Sequence, residues 1–548
     1  MIRNFKILCL LLFCSAAVSA QVFKNPVLKG FYPDPSVCRA GEDYYMVNST
    51  FAYFPGLPIF HSKDLLNWKQ VGNVMNDPEQ LNLHGFNNHQ GLYAPAIAYH
   101  DGLFYVACTV IGGKGNYVVT STDPKSNKWS EPHWIPEAIG IDPSLFFDED
   151  GKVYVVYNSG APDNKPLYDG HCTIRILELQ PNTLKAIGDN RILVNGGVDL
   201  SKKPVWIEGP HLYKRNGWYY LMAAEGGTEE NHSEVIFRSR SLAEPFIAYQ
   251  KNPILTQRHL PKERPDPITS TGHADIFEGP DGNWYGVFLG CRPYEDNHYN
   301  TGRETFMAPV KWEDDWPVFD LQQDVVKATY PINAIAEPEG ERFNGSFVFR
   351  DDFENPELNF RYLFLRTPTE KWHSIQQGVL QLTLRAETVA GPANPSFVGF
   401  RQSHMIGHAA TRMEFSAAND KESAGLIIYE NDAHYYLLVK TIRDNNPVIE
   451  LIKSGPDQGS VILASVNLNE NTLPIELKIE ARADHYNFYF AEKAGHWNLL
   501  KSHVDAKFLS TKTAGGFVGA VHAMYATSNG HPSDNTAKFD WFEQKTDK

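Results

Sequence analysis

A segment that recurs five times in the first 330 residues constrains this chain most. Each copy opens on a polar or small residue, runs through Pro, Gly or Ala to an apolar residue, then reaches a Gly turn and one or two aromatics. The first copy is Asp34-Pro35-Ser36-Val37 with Gly41 and Tyr44-Tyr45, and the second is Ala94-Pro95-Ala96-Ile97 with Gly102 and Phe104-Tyr105. Asp142-Pro143-Ser144-Leu145, with Gly151 and Tyr154, is the third. The fourth is Glu208-Gly209-Pro210-His211-Leu212 with Gly217 and Tyr219-Tyr220, and the fifth is His273-Ala274-Asp275-Ile276 with Gly282 and Trp284-Tyr285. The copies start about 48–66 residues apart, a spacing that suits propeller blades with variable loops. Each reads as an inner strand, a tight hairpin and a second strand. Helical periodicity is nearly absent, so the expectation is an all-β chain whose residues 21–335 form a five-bladed β-propeller.

In a propeller the start of each inner strand lies beside the central channel. The leading residues Asp34, Ala94, Asp142, Glu208 and His273 are then expected to face one small volume. A single Asp-Pro reads as a turn cap. Three acids and a histidine at matched positions read as a site, because an unpaired buried charge is costly where only packing is needed. Two carboxyl groups facing across a pocket suit glycoside hydrolysis: one protonates the departing oxygen, the other activates water or attacks the anomeric carbon. A third acid nearby raises the pKa of the proton donor by like-charge repulsion.

The bulk properties agree with a carbohydrate substrate. The net charge is -15, with no Lys/Arg cluster of the kind that neutralises phosphates, which argues against a nucleic-acid partner. The 11 Trp, 26 Tyr and 32 Phe suffice for large cores. Arg3 and Lys6, the apolar run Ile7 to Val18 and the small residues Val18-Ser19-Ala20 read as a signal peptide cut after Ala20, which implies a secreted or periplasmic protein. Lipid attachment at Cys14 is disfavoured by the bulky Phe13 before it. No stretch is long and apolar enough to span a bilayer. Cys38, Cys108, Cys172 and Cys291 lie far apart without metal-ligand spacing, and buried free thiols are the expectation.

Phe31-Tyr32-Pro33-Asp34-Pro35-Ser36, Gly140-Ile141-Asp142-Pro143-Ser144 and Ile207-Glu208-Gly209-Pro210-His211 resemble the three signature segments of glycoside hydrolase family 43. The resemblance continues through Ser49-Thr50-Phe51, Ala223-Ala224-Glu225-Gly226-Gly227-Thr228, Thr271-Gly272-His273-Ala274 and Gly302-Arg303-Glu304-Thr305. In kind it is closest to the β-xylosidase and α-L-arabinofuranosidase members that carry a C-terminal β-sandwich. It implies an inverting mechanism, with Asp34 as general base, Glu208 as general acid and Asp142 tuning Glu208 and positioning the sugar. Inversion calls for base and acid about 6.5–9.5 Å apart. The resemblance further implies that Phe51, Tyr93 and Ala94 line the subsite for the terminal pentose and that Arg303 binds sugar or catalytic oxygens. Thr228 is a weaker contact, and His273 would orient the site beside a calcium ion or a water; no other cofactor is implied. Arg292 is divided between a site role and a structural ion pair. Tyr93 stands where xylosidase relatives commonly carry Trp, which leaves xylose versus arabinofuranose open. Asn76-Asp77-Pro78 resembles the nucleophile motif of invertase-like propellers but falls between repeats, where a loop turn is the better reading.

Pro331, Pro338 and Gly340 punctuate a boundary, and residues 336–548 read as a second all-β domain, a jelly-roll or concanavalin-like sandwich. Gly515-Gly516-Phe517-Val518-Gly519 resembles a loop that places an aromatic near the active site in relatives, so Phe517 would block extended substrate and favour exo action. The alternatives are an endo-arabinanase-type hydrolase, a non-catalytic carbohydrate-binding propeller and, weakest, a protein-interaction propeller. The natural partner in the leading reading is a plant cell-wall hemicellulose such as xylan.

Overall fold

The computed structural model describes residues 21–337, 340–455, 459–469 and 473–547. The expected signal peptide and Pro338 lie outside the described residues. Strands dominate, and the one α-helix among the described residues is the single turn Thr511–Ala514.

The N-terminal part contains five antiparallel sheets of four or five strands each. Their inner strands are Ser36–Ala40, Ala96–His100, Ile141–Phe147, Glu208–Arg215 and Thr269–Glu278. Each is followed by a hairpin whose Gly (41, 102, 151, 217 or 282) has positive φ, and by the aromatic strand of the repeat. The inner strands pack against one another in cyclic order, the fifth returning to the first. Gln21–Lys24 pairs with Thr329–Ile332, bringing the two ends of this part together.

The sheet register corrects one alignment. Ser36, Ala96, Ser144, His211 and Asp275 occupy matching ladder positions, opposite Val47, Ala107, Val156, Met222 and Val287. Counting back two residues gives Asp34, Ala94, Asp142, Gly209 and His273, so Glu208 stands one residue ahead of its expected equivalents. The cause is the extra residue of Glu208-Gly209-Pro210-His211, since the third, fourth and fifth inner strands share one bulge, with the ladder shifting at Ile141/Ser144, Glu208/His211 and Gly272/Asp275. Asp34, Asp142, Gly209 and His273 all adopt left-handed φ of 52–57°. Such a bulge turns its residue out of the ladder.

The C-terminal part is two sheets, one of eight strands and one of six, that share one apolar core containing Leu380, Phe539, Leu426 and Ile428. Asn76-Asp77-Pro78 sits in a turn after strand Lys69–Met75, with the Asp77 carboxylate accepting from the Glu79 N–H. The four cysteines are free; Cys172 is partly buried and the others are buried.

The two parts meet on a continuous apolar cluster. Phe31, Phe51 and Tyr53 pack there with Leu365, Phe397, Tyr429 and Val518. Tyr53–Phe54 forms a two-stranded ladder with Phe364–Leu365. Beside it, the fully buried Arg366 donates to the Phe86 and Ala393 carbonyls at 2.6 and 3.1 Å and to both Asp432 oxygens at 3.0 Å.

Candidate active site

One cavity of about 220 Å³ opens where the inner strands begin. Asp34, Asp142, Glu208, Phe51, Tyr93, Ala94, Thr228, His273, Arg303 and Phe517 all line it. Ile141, Asn158, Cys172 and Trp206 complete the wall. Glu208 reaches the cavity despite its offset, as does Ile141, which holds the same ladder position in the neighbouring sheet.

The three carboxyl groups experience different fields. Burial pushes the Asp34 carboxyl up, but the Arg303 guanidinium, His273 and a hydrogen bond from Ser49 outweigh it and hold it below the ordinary aspartate range. Arg303 Nη1 donates to Asp34 Oδ1 at 3.0 Å, and Ser49 Oγ donates to Oδ2 at 2.5 Å. Burial, then repulsion from Glu208 and Asp34, drives Asp142 well above the aspartate range, against the pull of a Gly209 N–H bond to Oδ2 at 3.0 Å. Burial followed by repulsion from Asp34 pushes Glu208 up to about 7, with Arg303 opposing. Asp34 is therefore the ionised member, while Asp142 and Glu208 are both held toward the protonated form.

The walls are aromatic. Phe51 stacks on Phe517 with ring centroids 5.9 Å apart, and Tyr93 meets both rings edge-on. The Tyr93 hydroxyl donates to the His89 carbonyl at 2.8 Å, which leaves its ring as the part available to the cavity. Arg303 lies over the Phe51 and Phe517 rings and donates from Nη2 to the Phe517 carbonyl at 3.4 Å. Its buried Nε has no protein partner. Phe517 comes from the C-terminal part, where the Gly519 backbone packs so closely on Gly302 that a Cβ at Gly519 would lie 2.6 Å from the Gly302 nitrogen. Arg292 is the structural member: it grips the buried Glu304 through bonds of 2.5 and 2.9 Å.

His273 is buried, and burial lowers its pKa to about 4, so it is neutral at pH 7. Its Nδ1 lies 3.8 Å from Asp34 Oδ1, and a Cβ added at Gly209 would meet its ring at 2.7 Å. His273 and Asp34 do not by themselves make a calcium site. Arg303 and Ser49 already engage the Asp34 oxygens, and among the described residues no three His, Cys, Asp or Glu side chains converge as metal ligands. Calcium takes six to eight oxygens, so an ion there would be held chiefly by water.

Sequence reasoning missed several supports. Asn158 and Trp206 lie on the cavity wall. Glu234, fully buried, accepts the Ala274 N–H at 3.0 Å and so fixes the bulge that carries His273. Beneath the cavity Asp275 accepts from Ser36 Oγ, the Val37 N–H and the Tyr213 hydroxyl at 2.7–2.9 Å, tying three inner strands together.

A closed pocket with one ionised and one protonated carboxyl is the equipment of a glycosidase. The chain belongs to glycosyl hydrolases family 43: the model of that family matches residues 23–317, and that of the beta xylosidase C-terminal concanavalin A-like domain matches residues 350–545. It is 38% identical over 533 residues to a xylosidase/arabinosidase of Butyrivibrio fibrisolvens, covering 95% of this chain and 99% of that one. It is 35% identical over 553 residues to a non-reducing end alpha-L-arabinofuranosidase of Bacteroides ovatus, covering 99% and 98%. The crystal structure of a GH43_12 protein from a capybara gut metagenome superimposes with a TM-score of 0.86 at 40% identity, over 93% of this chain and 96% of that one.

Proposed function

We propose that this glycoside hydrolase removes single terminal pentoses, α-L-arabinofuranose or β-D-xylose, from hemicellulose oligosaccharides with inversion. The convergence of Asp34, Asp142 and Glu208 on one cavity closed by Phe51, Tyr93 and Phe517 carries the reading. Asp34, ionised, deprotonates the attacking water. Glu208, protonated, delivers its proton to the leaving oxygen. Asp142 tunes Glu208 and positions the sugar. Arg303 keeps Asp34 charged and donates to a sugar hydroxyl. A closed aromatic wall favours exo over endo action, and the names of the relatives favour pentose.

The same proposal takes the five N-terminal sheets as five propeller blades in residues 21–335, and residues 336–548 as a separate sandwich domain. Cyclic packing of the inner strands and the two shared-core sheets support that division. Export through the segment ending at Ala20 suits a polymeric substrate outside the cell.

The test is release of 4-nitrophenol from the α-L-arabinofuranoside and the β-D-xylopyranoside, with product anomers followed by NMR. Wild type should cleave at least one, releasing the inverted anomer first. Glu208→Gln should lose ~10²–10⁴-fold in kcat/KM on oligosaccharides and less on nitrophenyl substrates, whose leaving group needs little protonation. No release from either glycoside, or a retained anomer, overturns the reading.

A further inference from the structure

Trp206 stands at the mouth of the cavity and is unusual in three respects. Its side is part of the cavity wall, yet 44% of the residue is exposed. Its backbone adopts φ +44°, a region that costs a bulky residue energy and is kept only where the surroundings enforce it. Those surroundings are visible: the Trp206 N–H donates to the Gly170 carbonyl at 2.9 Å, and the Val205 carbonyl accepts the Gly226 N–H at 2.9 Å. The indole edge lies over Gly170, where a Cβ would meet Cδ1 and Nε1 at 3.3 Å. A strained, clamped and half-exposed indole at a cavity rim is a surface held ready for contact.

Exposed apolar residues lie next to it in the chain and on segments that reach it or the cavity wall. Val205 is 39% exposed, Leu167 on the Gly170 loop 68%, and Ile139, two residues before the wall residue Ile141, 76%. Trp206 precedes Glu208 by two residues. On the proposed function Glu208 protonates the leaving oxygen, so the leaving group must lie on the Glu208 side of the cavity.

We infer that Trp206 is the platform on which the leaving-group sugar, a pyranose ring of an oligosaccharide backbone, stacks by its C–H face, making Trp206 a specificity-determining residue for polymeric over minimal aglycones. Phe51, Tyr93 and Phe517 grip the terminal sugar, while Trp206 grips the ring it is cut from. Binding energy from that remote ring lowers the barrier only while the ring is present.

This inference rests on the glycosidase reading, and its test separates the two. Xylotriose and arabinosyl-substituted xylotriose are compared with the corresponding glycosyl fluorides, whose leaving group has no ring to stack. In Trp206→Ala, kcat/KM on the oligosaccharide should fall about tenfold or more, the loss typical of truncating one aromatic anchor. Turnover of the fluoride, which lacks the stacked ring, should fall by a clearly smaller factor than turnover of the oligosaccharide. Trp206→Phe, which keeps a flat ring, should recover part of the loss. Equal loss on both substrates, or no loss on either, overturns the platform and leaves the glycosidase intact. Failure of wild type to cleave any of these substrates overturns both.

Discussion

Gly209→Ala tests whether the bulge beside Glu208 is built around the His273 ring. Gly209 has φ +57°, where an L-residue costs about 1–2 kcal/mol. The new Cβ would lie 2.7 Å from His273 Nε2, 2.8 Å from Cε1 and 2.9 Å from Cδ2, all inside contact distance. The ring has little room to retreat. Residue 273 is buried, sits at φ +53°, and is followed by the Ala274 N–H that Glu234 holds. Overpacking of this kind adds about 1–3 kcal/mol, for a total of roughly 2–5 kcal/mol. Gly217→Ala is the matched control. It too has positive φ, +72°, but its Cβ would meet only the end of the Arg240 side chain at 3.4 Å, so it should cost the backbone term alone. Urea unfolding gives the stabilities, and kcat/KM on an aryl pentoside gives the activities. Gly209→Ala should lose more stability than Gly217→Ala and at least about tenfold in kcat/KM, because the Gly209 N–H also holds Asp142. Gly217→Ala should keep wild-type kcat/KM. Equal stability losses together with unchanged activity in Gly209→Ala would refute the packing argument.

The pH profile follows from the two carboxyl states. On the proposed mechanism Glu208 acts protonated, so kcat/KM should fall as pH rises through about 7, while the acid limb, set by Asp34, should lie below the ordinary aspartate value of 3.8; an acid limb above that value would contradict the Arg303 argument. The folded Glu208 value exceeds the ordinary 4.5, so the stability linked to its proton is present in full below 4.5 and is lost as pH rises to about 7. Thermal melts should therefore show wild type losing ground to Glu208→Gln across that window. At the seam, Arg366→Met leaves Asp432 with only the Tyr429 hydroxyl and strips the Phe86 and Ala393 carbonyls of their donor, and urea unfolding should show a loss of about 3–5 kcal/mol, with a loss under about 1 kcal/mol counting against a structural role for the ion pair.

The repeat made the sheets and most of the cavity legible, because each inner strand, Gly turn and aromatic strand is a local pattern with a fixed period. Register was less legible. Glu208 and Asp34 look equivalent in sequence because both precede a Pro-containing segment, and only the ladder shows that Gly209 holds the kinked position. The signal was present in the extra residue of Glu208-Gly209-Pro210-His211, which lengthens the fourth copy by one. Phe517 was found through a resembling loop, not through any periodicity, since nothing local in Gly515–Gly519 states that it crosses to another set of sheets. Trp206 is not legible in the sequence because it falls in an irregular stretch ahead of a strand, where alternation has nothing to say. Glu234 was hidden differently: one acid within an apolar strand reads as an outward face until its partner, a backbone N–H about forty residues away, is seen.

The division of labour among the three acids turns on one cation. Three carboxyl groups in a desolvated cavity cannot all ionise, and burial alone would raise all three. Arg303 breaks the tie because its guanidinium touches Asp34 directly, and Ser49 adds a second donor to the same carboxylate. Asp34 then carries the charge, and that charge helps keep the proton on Glu208. The position of Arg303 is shared between the two halves of the chain: its Nη2 reaches the Phe517 carbonyl, its plane lies over the Phe51 and Phe517 rings, and the adjoining Gly302 touches Gly519. On the proposed mechanism the C-terminal sheets do more than close the pocket against longer substrates. They hold the guanidinium that decides which carboxyl is the base and which is the acid.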